Sequence, residues 1–302
     1  MRLLSKLFPV VLLLLAGLAG GAWWWASQPL ALKSSPLDFR VAPGSSLRSA
    51  IAQMREAGID VDPTLLAALA RFNRSDTAIK AGSYSVSEGI TTLQLLDKML
   101  KGKVTQGELT LVEGWTFRQW QARMEAHPDL KHELTGLSDT QIIERMGLTG
   151  TSLEGQLFPD TYLFDKQSSD LELLARANRA MRRKLEKEWA VRAEGLPYKT
   201  PDEALIMASI IEKETGRESD RNLVAAVFVN RLRKGMLLQT DPTVIYGLGD
   251  KFDGNLRRRD LLADTPYNTY TRRGLPPTPI AMPGQASIRA ALNPAESDAL
   301  YF

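Results

Sequence analysis

The sequence predicts an α+β protein: an N-terminal transmembrane helix, a small α/β module and a larger mixed domain organised around one buried helix. Three features predict it. The stretch from Leu7 to Leu32 holds no ionisable side chain. A strand end, a glycine turn, a Ser or Thr cap and a helix follow one another three times between Val41 and Met124. Residues 200–216 read as a helix whose middle, Ala204 to Ile211, is apolar on every side.

The first feature sets the topology. As a helix at ~1.5 Å per residue the uncharged run reaches roughly 39 Å, more than the ~30 Å hydrocarbon core of a bilayer. Leu12 to Leu15 form its apolar middle, and Trp23, Trp24 and Trp25 suit the far interface, where amphipathic rings settle. Arg2 and Lys6 favour a cytoplasmic N-terminus at 1–6, so residues 7–27 are expected to span the cytoplasmic (inner) membrane once. Everything after Lys33 then lies outside that membrane, in the periplasm where there is one. The small residues from Ala16 to Ala22 also suit a cleaved signal peptide, whose apolar region is shorter.

Composition removes several kinds of chemistry. The chain has no Cys, which excludes disulfides, thiol nucleophiles and a lipid-modified cysteine. His127 and His132 have no metal-binding spacing, so neither a His-based zinc site nor a triad is expected. There is no Gly-x-Ser-x-Gly and no phosphate-cradling loop with a lysine. No metal or cofactor is expected. A formal net charge of +3 fits an anionic polymer or membrane surface nearby and does not call for nucleic acid.

Roughly 270 residues follow the anchor, enough for two domains with cores of their own. Val41-Ala42-Pro43-Gly44-Ser45-Ser46 precedes a helix from Leu47 to Met54, Asp62-Pro63-Thr64 opens a second, and a strand lies around Ser83–Val86. Val86-Ser87-Glu88-Gly89-Ile90-Thr91 then leads into Leu93 to Leu100. Residues 36–106 therefore read as a small α/β unit, with Gly102 and Gly107 marking its end. From 108 onward helical patterns dominate. Leu111-Val112-Glu113-Gly114-Trp115-Thr116 precedes Phe117 to Met124, and Leu171 to Trp189 carries Arg182-Arg183-Lys184 on a solvated face. Arg257-Arg258-Arg259, beside a glycine turn, is expected to be solvated as well. After Thr265 the abundance of Pro, Gly and Tyr predicts loops that cover a surface rather than form a core.

The helix at 200–216 carries the chemistry. Thr200-Pro201-Asp202-Glu203 has the pattern of a capping box with Pro at the first helical position, and Gly216 is the expected stop. Ala204 to Ile211 is apolar all round, which indicates a buried helix. Glu212 and Glu214 fall in its last turn, near the negative end of the helix dipole and against apolar neighbours. Both effects disfavour an ionised carboxylate, as a general acid requires. Spacing puts Glu214 over Met207, Ile210 and Ile211, a bulky stripe, and Glu212 over Ala208 and Ser209, a small face suited to close packing. The same pattern fits two solvated charges where a helix leaves the core, and pattern alone does not separate the readings.

Ala208-Ser209-Ile210-Ile211-Glu212-Lys213-Glu214-Thr215 resembles the catalytic helix of goose-type lysozymes and lytic transglycosylases, where an apolar helix ends in Glu followed by Ser or Thr. A wider resemblance, running from the anchor to the last residue, is to the MltG (YceG-like) endolytic murein transglycosylases. It rests on Leu153-Glu154-Gly155-Gln156-Leu157-Phe158-Pro159-Asp160-Thr161-Tyr162, on Val229-Asn230-Arg231-Leu232 and on Leu238-Gln239-Thr240-Asp241-Pro242-Thr243-Val244-Ile245-Tyr246-Gly247. Tyr267-Asn268-Thr269-Tyr270 and Gly274-Leu275-Pro276-Pro277 complete it.

The resemblance implies a LysM-like module at 36–106 and a transglycosylase domain with a lysozyme-like catalytic helix at 108–302. It implies Glu214 as the catalytic acid and Glu154, Asn230, Gln239, Tyr246, Asn268 and Tyr270 as residues of a glycan cleft. The implied substrate is the peptidoglycan glycan strand, and the implied partners are peptidoglycan synthases. Family chains usually continue for a few tens of residues into a His- and Asn-bearing tail. This chain stops at Tyr301-Phe302, so that tail is expected to be missing. The competing expectation is a membrane-tethered peptidoglycan-binding or scaffold protein that performs no catalysis.

Overall fold

The structure, a computed structural model, describes residues 16, 17, 20–72 and 79–302. Most of the expected membrane span at 7–27 lies outside these. Among the described residues no helix is long and apolar enough to cross a membrane. The protein is mixed α+β and divides into two compact units. One runs through Gly107 and takes in Leu163–Gln167; the other comprises Glu108–Tyr162 and Ser168–Phe302.

In the first unit, β1 (Ala31–Leu32) pairs antiparallel with β3 (Ile59–Asp60), and β2 (Leu37–Val41) pairs antiparallel with β4 (Gly82–Val86). Helices α1 (Leu47–Ala57), α2 (Pro63–Phe72) and α3 (Thr92–Lys101) complete it. The β2/β4 register sets Phe39 opposite Tyr84, and their rings stack at 5.5 Å. Around them Met54, Ile59, Leu66, Leu95 and Met99 are buried in one apolar cluster. Asp62 opens α2 by accepting from the Thr64 and Leu65 N–H groups at 2.8 and 2.9 Å.

In the second unit the chain runs through β5 (Gln106–Leu111, shared with the first), α4 (Phe117–Glu125), β6 (Leu130–Lys131) and α5 (Asp139–Arg145). It continues through β7 (Asp160–Asp165), β8 (Ser168–Ser169), α6 (Asp170–Ala190), α7 (Pro201–Glu214) and α8 (Glu218–Arg233). It ends with α9 (Asp241–Leu248), α10 (Arg258–Leu262) and α11 (Gln285–Leu292). The recurring turn is real in all three places. β2, β4 and β5 end at Val41, Val86 and Leu111; Gly44, Gly89 and Gly114 follow with positive φ; Ser46, Thr91 and Thr116 then cap helices. Thr91 and Thr116 do so in full capping boxes with Gln94 and Gln119.

Helix α7 is the centre of this unit. α6, α8, α9 and α11 all pack on it, and Leu205, Met207, Ala208, Ile210 and Ile211 are fully buried. Two expectations are corrected here. Gly216 does not stop α7: the helix ends at Glu214, and Thr215 turns the chain out in extended conformation. At the other end Thr200 accepts from the Glu203 N–H, but the Glu203 carboxylate reaches past the cap to the Lys199 N–H.

The segment after Thr265 is not only a surface cover. Ile280, Ala281 and Met282 are buried, and α11 packs along α7 with Ile288 and Ala290 to Leu292 in the core. Small residues suit such packing: Ala290 and Ala291 on α11 are fully buried in the same core as α7, and the Ser209 hydroxyl of α7 accepts from the Ile280 N–H at 3.0 Å. The prolines masked a short alanine-rich helix.

Candidate active site

The two glutamates at the end of α7 face different surroundings. Glu212 turns to the α11 side: its Oε2 accepts from the Gly284 N–H at 2.9 Å. Glu113, from the recurring turn before α4, stands at the same glycine, so close that a Cβ on Gly284 would fall 1.9 Å from its Oε2. Burial first, and then the Glu212 charge, push the Glu113 carboxyl up, while Arg221 pulls it down. Lys213 sends its ammonium to the Gly114 carbonyl at 3.2 Å. This turn is stitched to the core strand-like segment by Gly114 N–H to Met282 O and Met282 N–H to Trp115 O, both 2.8 Å.

Glu214 turns the other way, to the segments 238–241 and 268–270. It is half-buried, and its Oε2 accepts from the Thr240 hydroxyl at 2.7 Å. Those two segments are laced together: Gln239 N–H donates to Thr269 O, Thr240 N–H to Thr269 Oγ1, and Tyr270 Oη to Asp241 Oδ1 at 2.6 Å. Burial, then the bond to Asp241 and the negative charges of Asp241 and Glu214, push the Tyr270 phenol up to about 12, with Arg231 opposing. Gln239 is exposed and holds φ at +52°, a left-handed conformation that a non-glycine residue adopts at a cost.

The remaining expected site residues fall into two kinds. Glu154 is 4% exposed and accepts from the Phe117 N–H at 3.0 Å and from the half-buried Tyr246 hydroxyl at 3.1 Å. Tyr246 in turn meets Tyr267 edge-on at 4.9 Å. Asn230 and Asn268 spend their amides on the main chain. Asn230 Nδ2 donates to Ser297 O and Ala299 O, and Asn268 Nδ2 to Asp260 O, Leu261 O and Ala263 O. Asn268 Oδ1 accepts from the Tyr270 N–H, so it ties α10 to the lacing beside Glu214. The sequence reading passed over Thr240, Thr269 and Glu113. Thr240 and Thr269 lie inside the motifs that carry the family resemblance and Glu113 inside the recurring turn, but nothing in their spacing marks a role.

Glu154 gives a pH signature. Desolvation pushes its carboxyl from 4.5 to about 7, against the bonds from Phe117 and Tyr246. A folded-state value above the unfolded one means that the native protein holds the proton more tightly. That stability is full below about pH 4.5 and is lost as pH rises through about 7. Glu154→Gln removes the titration while keeping an acceptor for Phe117. The stability of the variant relative to wild type is expected to rise by about 3 kcal/mol between acidic and mildly alkaline pH. Urea unfolding across that range measures it; parallel curves for the two proteins would show that Glu154 does not titrate there.

Among the described residues no group of His, Asp or Glu is placed to hold a metal ion. The class of protein this defines is a mixed α+β scaffold with two half-buried carboxylates at the end of a central apolar helix, one of which, Glu214, meets a threonine hydroxyl beside a tyrosine. The chain belongs to the YceG-like family, whose model matches residues 39–302. It is 34% identical over 244 residues to the endolytic murein transglycosylase of Bacillus subtilis, covering 75% of this chain and 67% of that protein. To the endolytic murein transglycosylase of Streptococcus pneumoniae strain D39 it is 29% identical over 293 residues, 86% of this chain and 52% of that one. The chain thus spans about half the length of the pneumococcal relative. The crystal structure of a yceG-like protein from Listeria monocytogenes matches with a TM-score of 0.53 at 31% identity, covering 89% of this chain and 93% of that one.

Proposed function

We propose that this protein is a membrane-anchored endolytic lytic transglycosylase that cuts peptidoglycan glycan strands between N-acetylmuramic acid and N-acetylglucosamine. The observation that carries the reading is the placement of Glu214: a half-buried carboxylate at the end of α7, one oxygen held by Thr240. The names and identities of the relatives support it. Glycoside hydrolysis uses two carboxylates flanking the bond. Intramolecular transglycosylation needs one. Protonated Glu214 gives its proton to the glycosidic oxygen as the bond to the anomeric carbon breaks. The resulting carboxylate then takes the proton of the muramic C6 hydroxyl as that oxygen bonds to the anomeric carbon, leaving a 1,6-anhydro end.

Gln239, Tyr246 and Tyr270 supply polar and aromatic surface toward strand and sugar, and Glu154 fixes the Tyr246 hydroxyl. Asn230 and Asn268 hold the walls. A cationic transition state is served by such a shaped cleft lined with acceptors rather than by a metal. In this reading residues 7–27 tether the enzyme to the inner membrane, the LysM-like module at 36–106 holds glycan, and the substrate is strand newly made by peptidoglycan synthases.

The test is incubation of the full chain in detergent with purified sacculi, followed by analysis of the released ends. New 1,6-anhydromuramic ends are expected. Reducing ends would mean a hydrolase on the same scaffold, and intact strands that co-sediment with the protein would mean a glycan binder.

A further inference from the structure

Thr240 is the N-cap residue of α9, yet its side chain caps nothing: no N–H of its own helix reaches it. A threonine at this position ordinarily accepts from the N2 or N3 N–H, and giving that up costs about 1 kcal/mol. The hydroxyl points instead to Glu214 Oε2 at 2.7 Å. The surrounding hydroxyls do not compete for it, because they bond the Thr240 main chain and each other. Each threonine has one hydrogen to give. Thr243 gives its own to Thr240 O at 2.8 Å. The 2.8 Å contact between Thr269 and Thr243 must then be donated by Thr269, whose 3.5 Å approach to Thr240 O is the poorer competitor. Thr269 Oγ1 also accepts from the Thr240 N–H. Thr240, Thr243 and Thr269 are all at most 2% exposed, so water does not compete. The strained φ of Gln239 sets the turn that presents Thr240 in this way.

We infer that Thr240 is a positioning residue whose hydroxyl, carried on a backbone held by Thr243 and Thr269, occupies Glu214 Oε2 and so assigns the transferable proton to Oε1. The same Oε1 gives the proton to the leaving oxygen and takes it back from the C6 hydroxyl, without the carboxylate turning. The inference rests on Glu214 being the acid.

The test compares Thr240→Val, Thr240→Ser and Thr240→Ala in the full chain, with Glu214→Gln alongside, on soluble uncrosslinked glycan strands. Loss of a hydrogen bond to a charged group predicts that kcat for Thr240→Val falls roughly 10- to 100-fold with KM unchanged. Ser and Ala at this position differ by one oxygen, so Thr240→Ser is expected to exceed Thr240→Ala by a similar factor, whether or not the valine variant folds. Equal kcat for the Ser and Ala variants overturns the inference, as does a loss confined to KM. If Glu214→Gln is inactive while Thr240→Ala keeps wild-type kcat, only Thr240 is misassigned; an active Glu214→Gln removes the acid itself.

Discussion

Glu214→Gln abolishes the formation of 1,6-anhydro ends, with a loss of at least about 10³-fold, and leaves the melting temperature essentially where it was. The size follows from the double role. General acid or base catalysis by one group contributes roughly 10²- to 10⁴-fold, and here one carboxyl serves both half-steps. The unchanged fold follows from the contacts. Gln is isosteric with Glu, and its amide oxygen still accepts from the Thr240 hydroxyl that holds Oε2. Glu212→Gln is the paired measurement. Its amide oxygen still accepts from the Gly284 N–H, and removing the charge relieves Glu113 of a like neighbour. Activity within a few-fold of wild type and equal or higher thermal stability are expected for it. The reverse pattern, an inactive Glu212→Gln beside an active Glu214→Gln, would transfer the acid to the Gly284 side of α7.

Much of the local structure could be read from the chain because it is written in short-range chemistry. The three turns share one spacing: the glycine falls three residues, and the cap five residues, after the last strand residue. Positive φ and side-chain capping need only neighbouring residues, so the letters suffice. The same holds for Thr200, Pro201 and the start of α7. What failed depended on distant partners. α11 was hidden because eight residues with a proline-rich approach carry little periodicity, and its burial comes from packing along α7. Gly216 was expected to end α7 by residue type, yet Thr215 had already left helical conformation.

The site shows the same division. Placing Glu214 and Glu212 on different faces needed only the angular spacing of a helix. What each face meets did not follow. Thr240 approaches from 26 positions away in sequence and Gly284 from 72, and each arrives through a loop with no regular pattern of its own. The asparagines teach a related point. A polar residue inside a motif reads as a ligand contact, but Asn268 satisfies three carbonyls at the end of α10, a demand set by backbone geometry that no spacing rule reveals.

Gly155→Ala is the substitution outside the acid with the largest expected effect. Gln156 N–H closes a tight turn on Leu153 O at 3.0 Å, and Gly155 sits in it with φ at +73°. An alanine there costs about 1–2 kcal/mol for left-handed backbone alone. Its Cβ would also lie 2.4 Å from Pro279 Cβ and 2.5 Å from Pro279 Cγ, a buried ring with no rotamer to yield. Overpacking of that kind adds about 1–3 kcal/mol, so a total loss of roughly 2–5 kcal/mol is expected. Relief by moving Pro279 is costly, because Ile280 beside it is tied to Ser209 on α7; relief by moving Glu154 breaks its bonds to Phe117 and Tyr246. Gly136→Ala separates the two terms. Gly136 has φ at +77° with nothing within 4 Å of a new Cβ, so only the backbone cost applies. Urea midpoints should therefore fall much further for Gly155→Ala than for Gly136→Ala, and Pro279→Ala should recover part of the difference in the double variant. Equal losses for the two glycines would mean that the Pro279 ring does not confine the Glu154 turn. The structural support for Tyr246 would then have to come from elsewhere in the second unit.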